Sequence, residues 1–206
     1  MKKALVAAIL GIALNVASSH GQGYIAFQSY DLVGQTPIFS GVTYGPGSGA
    51  KTGQYVGAAS GFKADLLYSL TGAPGSFTLA SGSQTSFYVN GGVQSSDGGS
   101  PTTDGAGIFI GPTLIIPGYT SGPVSFITEA YNGSSYGQQG FYNGQSAVYT
   151  ISSLQTNPAL PAGTTLNNTG TTVNGMQPFV VTVPEPSIFA LAGLGAAGLM
   201  AFRRKK

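Results

Sequence analysis

The sequence contains no cysteine and no tryptophan, and its one histidine, His20, lies near the N-terminus. Without cysteine, no disulfide can support the fold. The body of the chain therefore cannot use Ser-His-Asp or Cys-His catalytic groups, or a zinc site built on imidazole or thiolate. We expect no cofactor and no enzymatic activity that depends on these groups.

Charge is also scarce, since charged residues make up 7% of the chain. The formal net charge is +2, but six of the eight basic residues lie at the two ends. Between Gln22 and Val183, two basic side chains stand against five acidic ones, a formal charge of −3. This region lacks the clustered basic residues that nucleic-acid binding requires, so we expect no nucleic-acid partner. The charged residues of the region are Lys51, Lys63, Asp31, Asp65, Asp97, Asp104 and Glu129.

The N-terminus has the pattern of a secretory signal peptide, which we assign to residues 1–21. Lys2 and Lys3 precede an apolar core from Ala4 to about Ala13, and small residues follow. Cleavage after Ser19 or after Gly21 fits the pattern equally well. A retained anchor is the alternative, although the apolar core is short for a membrane span. The expected partners are the secretion machinery and signal peptidase.

The C-terminus, residues 184–206, has three parts in a fixed order. The rigid tripeptide Pro184-Glu185-Pro186 is followed by an uncharged apolar run, 187–202, which we predict to be a transmembrane helix. The basic residues that follow would stop transfer and stay on the cytoplasmic side. The run has 16 residues, fewer than the roughly 20 of a permanent span. An uncleaved single-pass anchor and a buried soluble helix are the alternatives. The basic residues are Arg203, Arg204, Lys205 and Lys206.

This tail resembles the PEP-CTERM sorting signal of bacterial exported proteins. The resemblance rests on the tripeptide with its neighbours Val183 and Ser187, the short apolar run and the basic end. It implies export, transient anchoring in the inner membrane and removal of the tail by an exosortase. It also implies a Gram-negative setting linked to exopolysaccharide, and a final location at the cell surface or in the extracellular matrix.

Residues 22–183 are predicted to form one all-β ectodomain. Its runs of alternating apolar and polar residues are short and are separated by Gly, Pro, Asn and Ser. The strongest are Phe62–Leu70 and Pro123–Tyr131, and each has an apolar face opposite a face expected to be wet, which carries Asp65, Glu129 and Tyr131. Eight to ten such strands predict an antiparallel β-sandwich that resembles a jelly roll. The other predicted strands are Tyr24–Tyr30, Thr36–Tyr44, Ser76–Ala80, Gln84–Asn90, Ile108–Ile110, Thr113–Ile116, Ala147–Ile151 and Pro178–Val183.

The body also loosely resembles that of other PEP-CTERM proteins. The matching segments are Gln22-Gly23, Glu129-Ala130-Tyr131 and Gly144-Gln145-Ser146. This resemblance implies an uncharacterised secreted β-domain and carries no catalytic residues.

Two acidic sets are candidate sites. Asp65 and Glu129 could form the carboxylate pair of a glycoside hydrolase, or could be two solvated acids. Asp97 and Asp104 lie beside glycines in a polar loop that could offer oxygen ligands to calcium, although Asp-Gly pairs are ordinary turn formers. The triplets at Asn132 and Asn167 match the glycosylation acceptor pattern only.

Tyrosines provide a third candidate site. Tyr131, Tyr136 and Tyr142 lie among Gly, Gln, Asn and Ser, which suits a polar ligand such as exopolysaccharide. Core packing and loop filling are the other interpretation of these rings. The preferred function is a structural or adhesive surface protein, with a polysaccharide-binding module and then a glycoside hydrolase as alternatives.

Overall fold

The computed structural model describes residues 21–33, 36–71, 73, 75–88, 107–157, 165–166 and 175–184. Residues 1–20 of the predicted signal peptide, and Asp97 and Asp104, lie outside the described residues. So do residues 185–206, which contain most of the sorting tail and its predicted helix. Within the described ranges, no helix is long and apolar enough to cross a membrane.

The described part of the chain is mostly β-structure, which confirms the predicted all-β class. Two short 3-10 turns, Gly49–Lys51 and Ala58–Ser60, are its helical elements. The strands are β1 (Gln22–Gln28), β2 (Tyr30–Val33), β3 (Thr36–Phe39), β4 (Val42–Tyr44), β5 (Lys63–Ser69), β6 (Thr78–Leu79), β7 (Thr85–Ser86), β8 (Ile110–Pro117), β9 (Val124–Tyr131), β10 (Asn143–Gln145), β11 (Tyr149–Ile151) and β12 (Phe179–Val181).

The largest sheet is built on β5 and β9, the two strands whose sequence alternation is strongest. They pair antiparallel along their whole length, from Lys63 opposite Tyr131 to Ser69 opposite Ser125. Strands β6 and β7 pair with β5, and β10 and β11 pair with β9. A residue at the centre of this sheet therefore has neighbours on both sides.

Three two-stranded sheets complete the described β-structure. Strands β1 and β8 are antiparallel, as are β2 and β3, whereas β12 and β4 are parallel. An isolated bridge between Asn143 and Thr182 links the end of β12 to β10. The last strand before the tail is thus held from both sides.

A single hydrophobic cluster lies between the sheets. It takes Ile25 and Phe27 from β1, Leu66 from β5 and Phe126 from β9, all with 0% exposure. Aromatic rings connect its parts, with Phe27 and Phe109 centroids 4.7 Å apart. The residues buried here are the apolar members of the alternating runs, as the strand period of two requires.

Two proline-containing segments differ from the sequence prediction. Thr36–Tyr44 was expected to be one strand, but β3 ends at Phe39 and β4 begins at Val42. The buried residue between them, Ser40, donates from its amide to the carbonyl of Ser29 and from its hydroxyl to the carbonyl of Met176. The amide contact continues the register of β2 and β3, whereas the hydroxyl contact ties Ser40 to a segment outside that pair.

Gly111-Pro112 was expected to divide two apolar runs, but β8 passes through both residues. The register shifts here, because Ala26 faces Thr113 whereas Gln28 faces Ile110. One extra residue on β8 forms a β-bulge, which accommodates a proline that cannot donate to the ladder.

The face of β5 and β9 expected to be wet is partly covered. Asp65 is 8% exposed and Tyr131 is 1% exposed, so the prediction that both face water is wrong. Ser83 and Gln84, which precede β7, bond to these two side chains and account for the difference.

Candidate functional site

The junction between the β-domain and the tail is firmly held up to Thr182. Within the parallel pair of β12 and β4, Val181 faces Tyr44, and its carbonyl accepts a hydrogen bond from the Gly45 amide at 2.8 Å. Thr182 then exchanges two backbone hydrogen bonds with Asn143, each 2.9 Å long. The next two residues, Val183 and Pro184, are exposed. The described chain therefore leaves the domain abruptly, immediately before the predicted sorting tripeptide.

Asn143 organises the loop beside this junction. Its buried side chain accepts from the Gly137 amide at 2.7 Å and donates to the carbonyls of Gln138 and Phe141 at 3.1 and 2.8 Å. At the start of the loop, Asn132 accepts from the Tyr142 amide at 2.8 Å. Loop 132–142 is thus folded against the residue that also holds Thr182. Sequence reasoning missed Asn143, because a single Asn in a Gly-rich loop gives no signal of which backbone groups it will meet.

Strand β10 lies very close to β12. A Cβ placed on Gly144 would lie 2.2 Å from the carbonyl oxygen of Val180. Only glycine permits this approach without displacing backbone. The predicted segments Glu129-Ala130-Tyr131 and Gly144-Gln145-Ser146 meet here, since Gly144 faces Ala130 and Gln145 faces Glu129.

The predicted carboxylate pair is brought together by the sheet. Asp65 on β5 lies directly opposite Glu129 on β9, and such pairs have Cβ atoms about 5 Å apart. The Tyr131 hydroxyl donates to Asp65 Oδ2 at 2.5 Å and the Ser83 hydroxyl donates to Oδ1 at 3.3 Å. Gln84 in turn donates to the Tyr131 hydroxyl at 2.8 Å. Sequence reasoning did not identify Ser83 and Gln84, which reach the pair only through the pairing of β7 with β5.

Two pKa values in this cluster are raised. Burial, and then the negative charge of Asp65, raise the pKa of Glu129 to about 7. Burial, followed by the hydrogen bond to Asp65, raises the pKa of Tyr131 to about 12. Two carboxylates facing each other in a partly dry site disfavour double ionisation. The Glu129 carboxyl is therefore still partly protonated near neutral pH.

The three tyrosines predicted to bind a ligand occupy different environments. The buried Tyr131 ring makes an edge contact with Tyr136 at 6.4 Å between centroids. Tyr136 is partly buried and its hydroxyl donates weakly to Gln145 at 3.4 Å. Tyr142 packs against the core, its ring 5.0 Å from that of Tyr44. Of the three, Tyr136 combines a partly exposed ring with polar neighbours.

The arrangement limits the chemistry that the cluster can perform. A retaining glycosidase needs its nucleophilic carboxylate to reach the sugar, but both oxygens of Asp65 accept hydrogen bonds from within the domain. Among the described residues, no three His, Cys, Asp or Glu side chains come together as a metal site. The cluster provides the Glu129 carboxyl, with its raised pKa, and hydrogen-bonding groups beside the partly exposed Tyr136.

Comparison with known proteins identifies the tail. Residues 182–205 match the PEP-CTERM protein-sorting motif. No curated protein and no solved structure matches the chain. The motif supports export, exosortase-dependent sorting and a membrane-associated C-terminal tail. The chain therefore carries a PEP-CTERM sorting motif, which begins at Thr182, the last of the described residues with a backbone hydrogen bond to the β-domain.

Proposed function

We propose that this protein is a structural or adhesive component of the cell surface or extracellular matrix. In this proposal, the secretion machinery exports the chain, signal peptidase removes residues 1–21, and an exosortase cuts near Pro184–Pro186. The tail 187–202 spans the inner membrane until that cut. The observation that carries the proposal is the match of residues 182–205 to the sorting motif.

The character of the domain supports a non-catalytic role. Its polarity comes mainly from Gly, Ser, Thr, Asn, Gln and Tyr, and only 7% of the chain is charged. Within the described carboxylate pair, both oxygens of Asp65 accept internal hydrogen bonds. We further propose that the sheets form a β-sandwich, because β1 and β8 contribute to the same core cluster as β5 and β9.

The test is the intact mass of protein recovered from the cell surface and the medium. The wild type is expected to end near Pro184–Pro186. A variant with Pro184, Glu185 and Pro186 all replaced by alanine is expected to retain Arg203–Lys206 and to stay in the inner membrane. Pro178→Ala, at an exposed proline upstream of β12, is the matched control and should be processed normally.

Two results would contradict this sorting. One is surface protein that still carries residues 203–206. The other is unchanged surface location after deletion of residues 184–206.

A second candidate, binding of exopolysaccharide, is favoured by the surroundings of Tyr136. Its ring is partly exposed beside the amide of Gln145 and close to the Glu129 carboxyl. Flat rings beside amide and carboxyl groups are suited to sugar hydroxyls and sugar faces. Binding to extracted exopolysaccharide should be lost in Tyr136→Ala and kept in Tyr24→Ala, which alters a partly exposed tyrosine on β1. Absence of binding by the wild type would exclude this candidate.

A further inference from the structure

The short connection between the domain and the apolar tail restricts where the domain can lie. Among the described residues, Thr182 is the last with a backbone hydrogen bond to the domain, and the uncharged apolar run begins at Ser187. The five steps between these residues reach at most about 17 Å when fully extended. A lipid headgroup layer takes up roughly 5–8 Å of that distance. A domain of this size has a radius of gyration of about 15 Å, so it cannot move far from the surface.

The strand register identifies the end of the domain nearest the membrane. Lys63, Tyr131, Asn143 and Thr182 lie in one row across β5, β9, β10 and the end of β12. The described segments that extend beyond this row on the tail side are 45–53, 87–88 and 132–142. Segment 89–106, which follows 87–88 and contains Asp97 and Asp104, lies outside the described residues. Because β4 is parallel to β12, the turn after β4 points in the direction in which the tail leaves.

The chemistry of this end suits a lipid surface. The described segments 45–53, 87–88 and 132–142 contain no acidic residue and one basic residue, Lys51, although the region 22–183 is acidic overall. Phe141 is 39% exposed and Val183 is 37% exposed. The loop also carries Tyr136, and aromatic side chains are favoured at the level of lipid headgroups. A single lysine near an anionic leaflet adds about 1 kcal/mol of attraction.

We propose that, while the tail is anchored, loop 132–142 and the turn after β4 lie against the membrane surface, with Phe141 in the headgroup region. The inference rests on the proposed anchoring by residues 187–202. It adds the orientation of the domain and the surface that contacts lipid. The exosortase must then cut a short segment that lies between a folded domain and the bilayer.

The absence of cysteine allows a direct test with single labels. The full chain carrying Phe141→Cys or Leu70→Cys is labelled with an environment-sensitive fluorophore. It is then reconstituted in phosphatidylethanolamine–phosphatidylglycerol vesicles that contain headgroup spin labels. Leu70 is the matched control, since it is 41% exposed and follows the opposite end of β5, about 20 Å from Lys63. Quenching is expected to be several-fold stronger at position 141 than at position 70.

A longer connection provides the second variant. Insertion of ten Gly and Ser residues after Val183 should bring quenching at position 141 down to near that at position 70. Equal quenching at the two positions in the original chain would overturn the proposal, as would quenching at 141 that the insertion leaves unchanged. The measurement depends on membrane insertion and not on cleavage. The intact-mass experiment instead reports sorting wherever the domain lies, so failure of one proposal can be told from failure of the other.

Discussion

The Glu129 carboxyl makes the stability of the domain depend on pH in an unusual direction. Its pKa is raised from 4.5 to about 7, so the folded protein holds a proton that the unfolded chain has already released. The stability associated with this group is fully present below pH 4.5 and is lost as the pH rises through about 7. A carboxylate paired with a cation would behave in the opposite way.

Glu129→Gln tests this reasoning because glutamine resembles the protonated acid and cannot ionise. The full shift corresponds to about 3 kcal/mol at 1.36 kcal/mol per pH unit. Glu129 is partly exposed, and solvent screening reduces this amount, so we expect about 1–2 kcal/mol. The variant should match the wild type at pH 4 and exceed its free energy of unfolding by that amount at pH 8.

The assay is urea unfolding followed by circular dichroism at several pH values between 4 and 8. The difference between variant and wild type isolates Glu129 from the other carboxyl groups. Asp65→Asn should lower the pKa of Glu129 only in part, because burial is the larger cause of the shift. A difference that stays constant from pH 4 to pH 8 would refute the raised pKa of Glu129. A wild type that gains stability relative to the variant as the pH rises would also refute it.

Two further predictions concern the junction that holds the tail. Asn143→Ala should lower the free energy of unfolding by about 2–3 kcal/mol, because three part-buried hydrogen bonds to backbone groups are lost. Urea unfolding measures this, and an effect no larger than that of the exposed Gln145→Ala, expected within about 0.5 kcal/mol, would show that the loop does not depend on Asn143. Gly144→Ala should separate β10 from β12, since its Cβ would lie 2.2 Å from a backbone carbonyl. Faster hydrogen exchange of the Thr182 amide would confirm this, and unchanged exchange would contradict it.

The sequence analysis correctly predicted the segments whose structure or role depends on local residue patterns. The sorting tail depends on residue type, order and spacing, and its assignment agrees with the family match at residues 182–205. The alternation in β5 and β9 predicted both strands and their buried apolar faces, because a strand turns every second side chain to the same side. The all-β class follows from many such runs.

Tertiary structure alone decided the features that depend on strand pairing. Asp65 was expected in water, but β7 and the residues before it cover the carboxylate, and no local pattern states which segment will pair beside β5. Asp65 and Glu129 are 64 residues apart in the chain and face each other only because of the register between β5 and β9. The pKa of Glu129 is raised by its burial in this sheet and then by the charge of Asp65. Likewise, Thr182 is kept in place because β12 pairs with the distant strand β4 and because Thr182 exchanges two hydrogen bonds with Asn143. Residue order identified the sorting motif, whereas the fold determined how close to the domain that motif begins.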